Sequence, residues 1–242
     1  MLIHPAPSMD SRLDRAELAS QLRKEAPAIM ASLLFCDFCE LRREVEAVEE
    51  AGVAAMHLDV MDGHFVPNFT YGMTIVEAAR RATDRPIDVH LMIDNPAQYV
   101  AEFRKAGADN MTIHIEAVPD PRPVLDKIRA LGASAGLAIN PPTPLSAIEP
   151  YLPHCDLILV MSVMPGFGGQ KFDPVALEKL RTLKARTDVH ALLEVDGGVA
   201  VDTIGECAEA GADLFVTGSA IFRHEDYTTA VHELRAAAVA KK

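Results

Sequence analysis

The sequence predicts an α/β chain folded as a (β/α)8 TIM barrel, a single domain with a short N-terminal extension. Three observations predict it. Short apolar runs alternate with longer amphipathic ones, and strands alternating with helices imply a parallel sheet. The phrases "EAGVA", "KAGAD", "ALGAS" and "EAGAD" each end a helix on glycine and enter a strand, and Gly52, Gly107, Gly132 and Gly211 fall near multiples of about 26 residues apart. Residues 27–242 hold eight such units, enough to close on themselves. The competing open, doubly wound sheet usually shows a glycine-rich dinucleotide turn after its first strand, and "SLLFCDF" is not one.

Taken in order, residues 1–26 form the extension, expected to be helical or disordered. "SRLDRAELASQLRKEA" places Leu13, Leu18 and Leu22 partly on one side. The barrel follows from 27 to 242, with strands expected over 27–32, 54–60, 86–92, 110–116, 134–139, 157–162, 190–196 and 213–218. Between them, "CELRREVEAVEEA" sets Leu41, Val45 and Val48 on one helical face, and "VALEKLRTLKA" does the same with Val175, Leu177, Leu180 and Leu183.

Composition narrows the function. The chain has 242 residues, 49% of them hydrophobic, enough to bury about 70–75% of its unfolded surface. A net charge of -12 argues against nucleic acid and against an anionic membrane, since both need a basic footprint. A local anion pocket built from backbone N–H groups remains compatible. Cys36, Cys39, Cys155 and Cys207 are too few and scattered for a disulfide scaffold, and the Cys36/Cys39 pair lacks a second pair at zinc-ligand spacing. They read as small buried side chains in a reducing compartment. Asp10, Asp14, Glu17 and Glu25 argue against a transit peptide, and no apolar run reaches signal or membrane-span length. The chain is expected to be cytoplasmic.

Chemistry should gather where the strands end, at the C-terminal mouth of the barrel. In "HLDVMDGH", His57 and Asp59 are two positions apart and share a strand face, with Leu58 pointing the other way. His90 lies near the end of the third strand and Asp196 ends the seventh. Two histidines and two aspartates on one rim suit a divalent metal: zinc, iron(II), manganese or cobalt. A hydrogen-bonded polar network is the other reading, and spacing leaves both open. "PGFGGQ", "DGG" and "GSA" follow strands six, seven and eight, and three glycine-rich loops in a row suggest a phosphate site. Tight turns alone are the alternative. Met61, Met92 and Met161 sit at strand ends as core filler that can also floor a pocket. His64 and His114 are expected to support or pack, His154, His224 and His232 to lie on the surface, and Lys171 to approach a phosphate or stay solvated.

At these residues the sequence resembles the ribulose-phosphate 3-epimerases. The match runs from about residue 27 to 224 through "HLDVMDGHFVPN", "DVHLMIDNP", "MSVMPGFGGQKF", "EVDGGV" and "GSAIF". The resemblance implies a (β/α)8 barrel that interconverts D-ribulose 5-phosphate and D-xylulose 5-phosphate in the pentose phosphate pathway, with one divalent metal ion and a homo-oligomeric assembly. It implies His57, Asp59, His90 and Asp196 as metal ligands, with Asp59 and Asp196 also the acid/base pair. Ser32, His90, Gly166, Phe167, Gly168, Gly169, Gly197, Gly198, Gly218 and Ser219 match the substrate positions. The implied chemistry is proton removal at C3 on one face and return on the other, through a metal-stabilised enediolate. Ala31, Phe35 and Met164 depart from the residues usual at their positions, and Phe35 and Met164 are expected to reshape the pocket wall. The alternatives are a 3-epimerase of a six-carbon ketose phosphate such as allulose 6-phosphate, a non-catalytic phosphate-binding barrel, and a hydrolase with a metal-bound water.

Overall fold

The structure, a computed structural model, describes residues 14–241. Asp14 caps the first helix, α1 (Arg15–Glu25). Its carboxylate accepts from the Glu17 N–H at 2.8 Å, while Glu17 accepts from the Asp14 N–H at 2.9 Å. Leu18 and Leu22 are buried on one side of this helix. Leu13, expected beside them, lies outside the described residues.

Eight strands follow: β1 (Ala28–Ser32), β2 (Ala55–Met61), β3 (Ile87–Met92), β4 (Asn110–His114), β5 (Ser134–Ile139), β6 (Leu157–Met161), β7 (Leu192–Asp196) and β8 (Leu214–Thr217). Each pairs in parallel with the next, and β8 pairs back with β1 to close the barrel. Their side chains alternate in direction, as the period of two requires. Leu58, Val89, Leu91, Met111 and Ile113 point outward into a continuous apolar layer beneath the helices. That layer takes Val45 and Val48 from α2 (Leu41–Glu50) and Leu177, Leu180 and Leu183 from α6 (Val175–Lys184). The remaining helices are α3 (Met73–Arg80), α4 (Pro96–Ala106), α5 (Arg122–Ala130), α7 (Ile204–Ala210), the single turn α8 (Ser219–Phe222) and α9 (Tyr227–Val239). Gly107 and Gly211 end α4 and α7 at φ of 132° and 106°, where a side chain would be strained.

Three elements differ from expectation, one of them β7, which begins at Leu192 and not at His190. No α-helix joins β5 to β6; the connection runs through 3-10 turns at Leu145–Ala147 and Glu149–His154. Pro141, Pro142, Pro144, Pro150 and Pro153 fall in this stretch, and prolines break an α-helical ladder. Strand β4 stops at His114 and not at Glu116. There the chain turns at Ile115–Ala117, and the Glu116 carboxylate accepts from the Asn140 N–H at 2.8 Å.

At the N-terminal end of the barrel, Leu18 and Leu22 pack against Met30, Leu157, Leu192 and Leu214. Arg15 makes a two-pronged contact with Asp156, at 3.0 and 2.7 Å, just before β6. Helix α1 therefore stoppers the end opposite the strand termini. Among the described residues no helix is long and apolar enough to cross a membrane.

Candidate active site

Parallel register sorts the inward-facing polar residues into two storeys. His57 of β2 lies beside Asp88 of β3, which lies beside Asn110 of β4. Two residues further on, Asp59 lies beside His90. Glu194 and Asp196 repeat the same spacing on β7. The lower storey is thus His57, Asp88, Asn110 and Glu194, and the upper is Asp59, His90 and Asp196.

The lower storey aims His57. Asp88 is ionised: burial pushes its carboxyl up, but His57 beside it outweighs this and lowers it. Asp88 therefore accepts from His57 Nδ1–H, at 2.7 Å, and also from the Asn110 amide. This fixes His57 Nε2 toward the upper storey, where it stands 3.3 Å from Asp59 Oδ1 without a hydrogen-bond partner. Glu194 is fully buried, and burial followed by the charge of Asp88 raises its carboxyl well above the usual range. It stays neutral beneath the site, 3.8 Å from His57 Nδ1.

A second chain of contacts aims His90. Glu116 is held at about 2: burial raises it, and the hydrogen bond from His114 heads the contacts that lower it. It accepts from His114 Nδ1 at 3.2 Å. Burial keeps His114 neutral, at about 4, so its Nε2 is an acceptor. His90 Nε2 then donates to it across 2.7 Å. Burial also lowers His90. Its Nδ1 is consequently a bare lone pair, directed at Asp59 Oδ1 at 3.1 Å and Asp196 Oδ2 at 3.9 Å.

The upper carboxylates differ in protonation. Burial pushes Asp59 up, yet the adjacent His57 charge outweighs it and holds the carboxyl well below the usual range. Ser32 donates to its Oδ2 at 2.7 Å, and the Asp59 N–H donates to Tyr71 at 3.1 Å. Asp196 is raised to about 7 by burial and then by the negative charge of Asp59. Donor atoms of His57, Asp59, His90 and Asp196 all lie within 4.8 Å of one another. An unpartnered imidazole nitrogen on His57, which ligates once it gives up its proton, the His90 lone pair and two carboxylates facing inward are a donor set that fits a divalent cation. Among the described residues no cysteine joins such a cluster. Cys36 is buried, which pushes its thiol up to about 12, and Cys39 is exposed.

Above this centre opens a cleft of about 240 Å³. Asp59, Asp196 and Ser32 line it, and all eight expected loop residues, Gly166, Phe167, Gly168, Gly169, Gly197, Gly198, Gly218 and Ser219, stand around it. His57 and His90 lie beneath, fully buried. Gly198 has φ of 59°, and a Cβ there would come within 2.6 Å of the Phe172 nitrogen, so only glycine allows these loops to approach. Met61, Met92 and Met161 are buried and line the cleft, serving as core and floor together. Phe35 lines it as expected, whereas Met164 is 51% exposed and outside the lining, contrary to expectation. Lys171 is exposed and also outside it. Asp62 belongs to the loop beyond β2, where its carboxylate accepts from the N–H groups of His64, Phe65 and Asp94.

Sequence reasoning missed Asp88, Glu194 and Glu116. The first two carried a visible signal: "DVH" and "EVD" repeat the spacing of "HLD".

The sequence matches the ribulose-phosphate 3 epimerase family over residues 28–222. The chain is 48% identical over 212 residues to the ribulose-phosphate 3-epimerase of Mycobacterium tuberculosis, covering 86% of this chain and 92% of the relative. It is 46% identical over 211 residues to that of Bacillus subtilis, covering 86% and 97%. The chloroplastic ribulose-5-phosphate-3-epimerase of Arabidopsis thaliana is 44% identical over 238 residues, covering 96% and 83%. Solved structures share the fold at low identity. A Pyrococcus furiosus tryptophan synthase alpha-subunit has a TM-score of 0.64 at 15% identity, covering 89% of this chain and 98% of that one. A 3-hexulose-6-phosphate synthase has 0.63 at 20%, covering 87% and 99%. With the matched motifs spread from the first strand to the last, this chain belongs to the ribulose-phosphate 3-epimerase family and is an epimerase.

Proposed function

We propose that the chain interconverts D-ribulose 5-phosphate and D-xylulose 5-phosphate by passing a proton at C3 between two carboxylates, Asp59 and Asp196. The opposite protonation preferences of these two groups carry the reading: Asp59 is held ionised and Asp196 is raised to about 7. One is ready to take a proton, the other to give one. The names of the relatives supply the sugar phosphate.

The phosphate sits against Gly197, Gly198, Gly218 and Ser219, which line the cleft at the ends of β7 and β8. Its grip is remote from the reacting carbon and orients it. Asp59 takes the C3 proton from one face, with Ser32 fixing one oxygen of its carboxylate at 2.7 Å. Asp196 returns a proton to the other face, and the roles exchange in the reverse direction. Met61, Met92 and Met161 keep water from the carboxylates. His57 through Nε2, His90 through Nδ1, Asp59 and Asp196 would hold one divalent ion: zinc, iron(II), manganese or cobalt. Such an ion supplies Lewis-acid neutralisation of the charge that develops on the substrate oxygens when C3 loses its proton.

Turnover of D-ribulose 5-phosphate in deuterium oxide, followed by NMR, tests the proposal. Xylulose 5-phosphate carrying deuterium at C3 is expected, with lower kcat/KM on allulose 6-phosphate. Product without deuterium at C3, or no epimerisation at all, refutes it.

A further inference from the structure

Phe35 lines the cleft, and the mechanism above does not use it. We propose that Phe35 and Arg223 form a cationic clamp on the substrate's phosphate monoester, the ring as shelf and the guanidinium as charge. The proposal rests on the phosphate reading just given.

The ring occupies the gap between two of the glycine loops. A Cβ on Gly168 would come within 2.4 Å of its Cζ, and one on Gly218 within 2.6 Å of its Cδ2. Bare glycines on both sides are what let the ring seat there. The guanidinium carbon of Arg223 lies 5.3 Å from the ring centroid, close enough for a cation–π contact. Among the described residues no carboxylate or carbonyl takes a hydrogen bond from this guanidinium. Stacking occupies the face of a guanidinium and leaves its edge N–H groups free, and that edge is the part that matches phosphate oxygens.

Charge makes the same point. Among the described residues Arg223 is the only cationic side chain lining the cleft, and Asp59 and Asp196 line it too. The whole chain carries -12. A phosphate dianion entering this field is repelled unless a cation meets it locally. Arg223 stands beside Gly218 and Ser219 in the same lining. Lys171, the cation that sequence singles out near these loops, is exposed and outside the lining.

The test measures KM and kcat for D-ribulose 5-phosphate and the inhibition constant of inorganic phosphate, each at low and high ionic strength. Arg223→Gln is expected to raise KM and the phosphate inhibition constant about tenfold, the loss of one exposed charge-assisted contact. The kcat should stay within about twofold, because binding lost equally from ground and transition states moves KM alone. Its KM should also respond less to salt. Arg223→Lys keeps the charge without the planar edge and should fall between. Phe35→Leu should raise KM less than Arg223→Gln, and the double variant should be no worse than Arg223→Gln, since the shelf matters only through the arginine. Unchanged KM and inhibition constant in Arg223→Gln, a loss confined to kcat, or additive effects in the double variant overturn the clamp. Absence of wild-type turnover on this substrate would instead remove the phosphate reading beneath it.

Discussion

Loading the metal-free protein with a divalent ion should expel protons in a number that depends on pH. Ligation needs the His57 Nε2 lone pair and both carboxylates charged. Without a metal, the charges of Asp59 and Asp88 outweigh the burial of His57 and raise it well above its usual value, so it holds a proton throughout the neutral range. Asp196 sits at about 7. Asp59 is already ionised and His90 already presents a lone pair, so neither has a proton to give. His57 therefore releases about one proton on either side of pH 7, while Asp196 adds nearly a second below about pH 7 and little above it. The total falls from near two to near one as pH rises through about 7. The logarithm of the metal affinity should rise with pH at the same slope: nearly two decades per unit near pH 6, flattening toward one near pH 8. Titration calorimetry with Mn²⁺ in buffers of different ionisation enthalpy counts these protons. Asp196→Asn should release about one at every pH, with weaker binding. A wild-type count that stays flat between pH 6 and 8, or is near zero, refutes the assignment of protons to His57 and Asp196.

Asp59→Asn and Asp196→Asn should each lower epimerase turnover by at least about 10³-fold while circular dichroism stays that of the wild type; substantial activity in either variant removes the two-carboxylate scheme. Asp88→Ala frees His57 to rotate and should weaken metal binding about 10–100-fold, measured by equilibrium dialysis; unchanged affinity would show that His57 is aimed by something else. Gly198→Ala forces a Cβ to within 2.6 Å of the Phe172 nitrogen at φ of 59°, so it should raise KM for the sugar phosphate and lower the melting temperature together. Leu18→Ala and Leu22→Ala should each cost about 2–3 kcal/mol, the lower part of the range for a buried leucine, in urea melts with kcat unmoved, because α1 stoppers the end of the barrel away from the cleft.

Much of the site was legible because it obeys the strand period. His57 and Asp59 announce a shared inward face, and His90 and Asp196 stand near strand ends, where a barrel gathers its chemistry. The glycine loops were legible because a residue without Cβ has few reasons to recur there. The lower storey was not read, although Asp88 and Glu194 sit two residues before His90 and Asp196. Recognising them needs lateral register: only the pairing of His57 with Asp88 turns three separate doublets into two layers. Arg223 is separated from Gly218 by the single turn α8, and its place follows from its side chain lying over the Phe35 ring. Eight equal units imply a helix between β5 and β6, and the five prolines of that connection are the local signal against it.

Ring closure ties this chemistry to the order in which the molecule is made. Ser32 touches Asp59 from β1, Gly218 lines the cleft after β8, and these two strands are the ones whose pairing shuts the barrel. No contiguous fragment of the chain holds both halves of the site. Synthesis must therefore run nearly to the last helix before the cleft is complete, and the first and last strands must find each other across most of the sequence, a slow, non-local step. Recovery of turnover during refolding is accordingly a clock for that final seam, running later than collapse or the gain of helix.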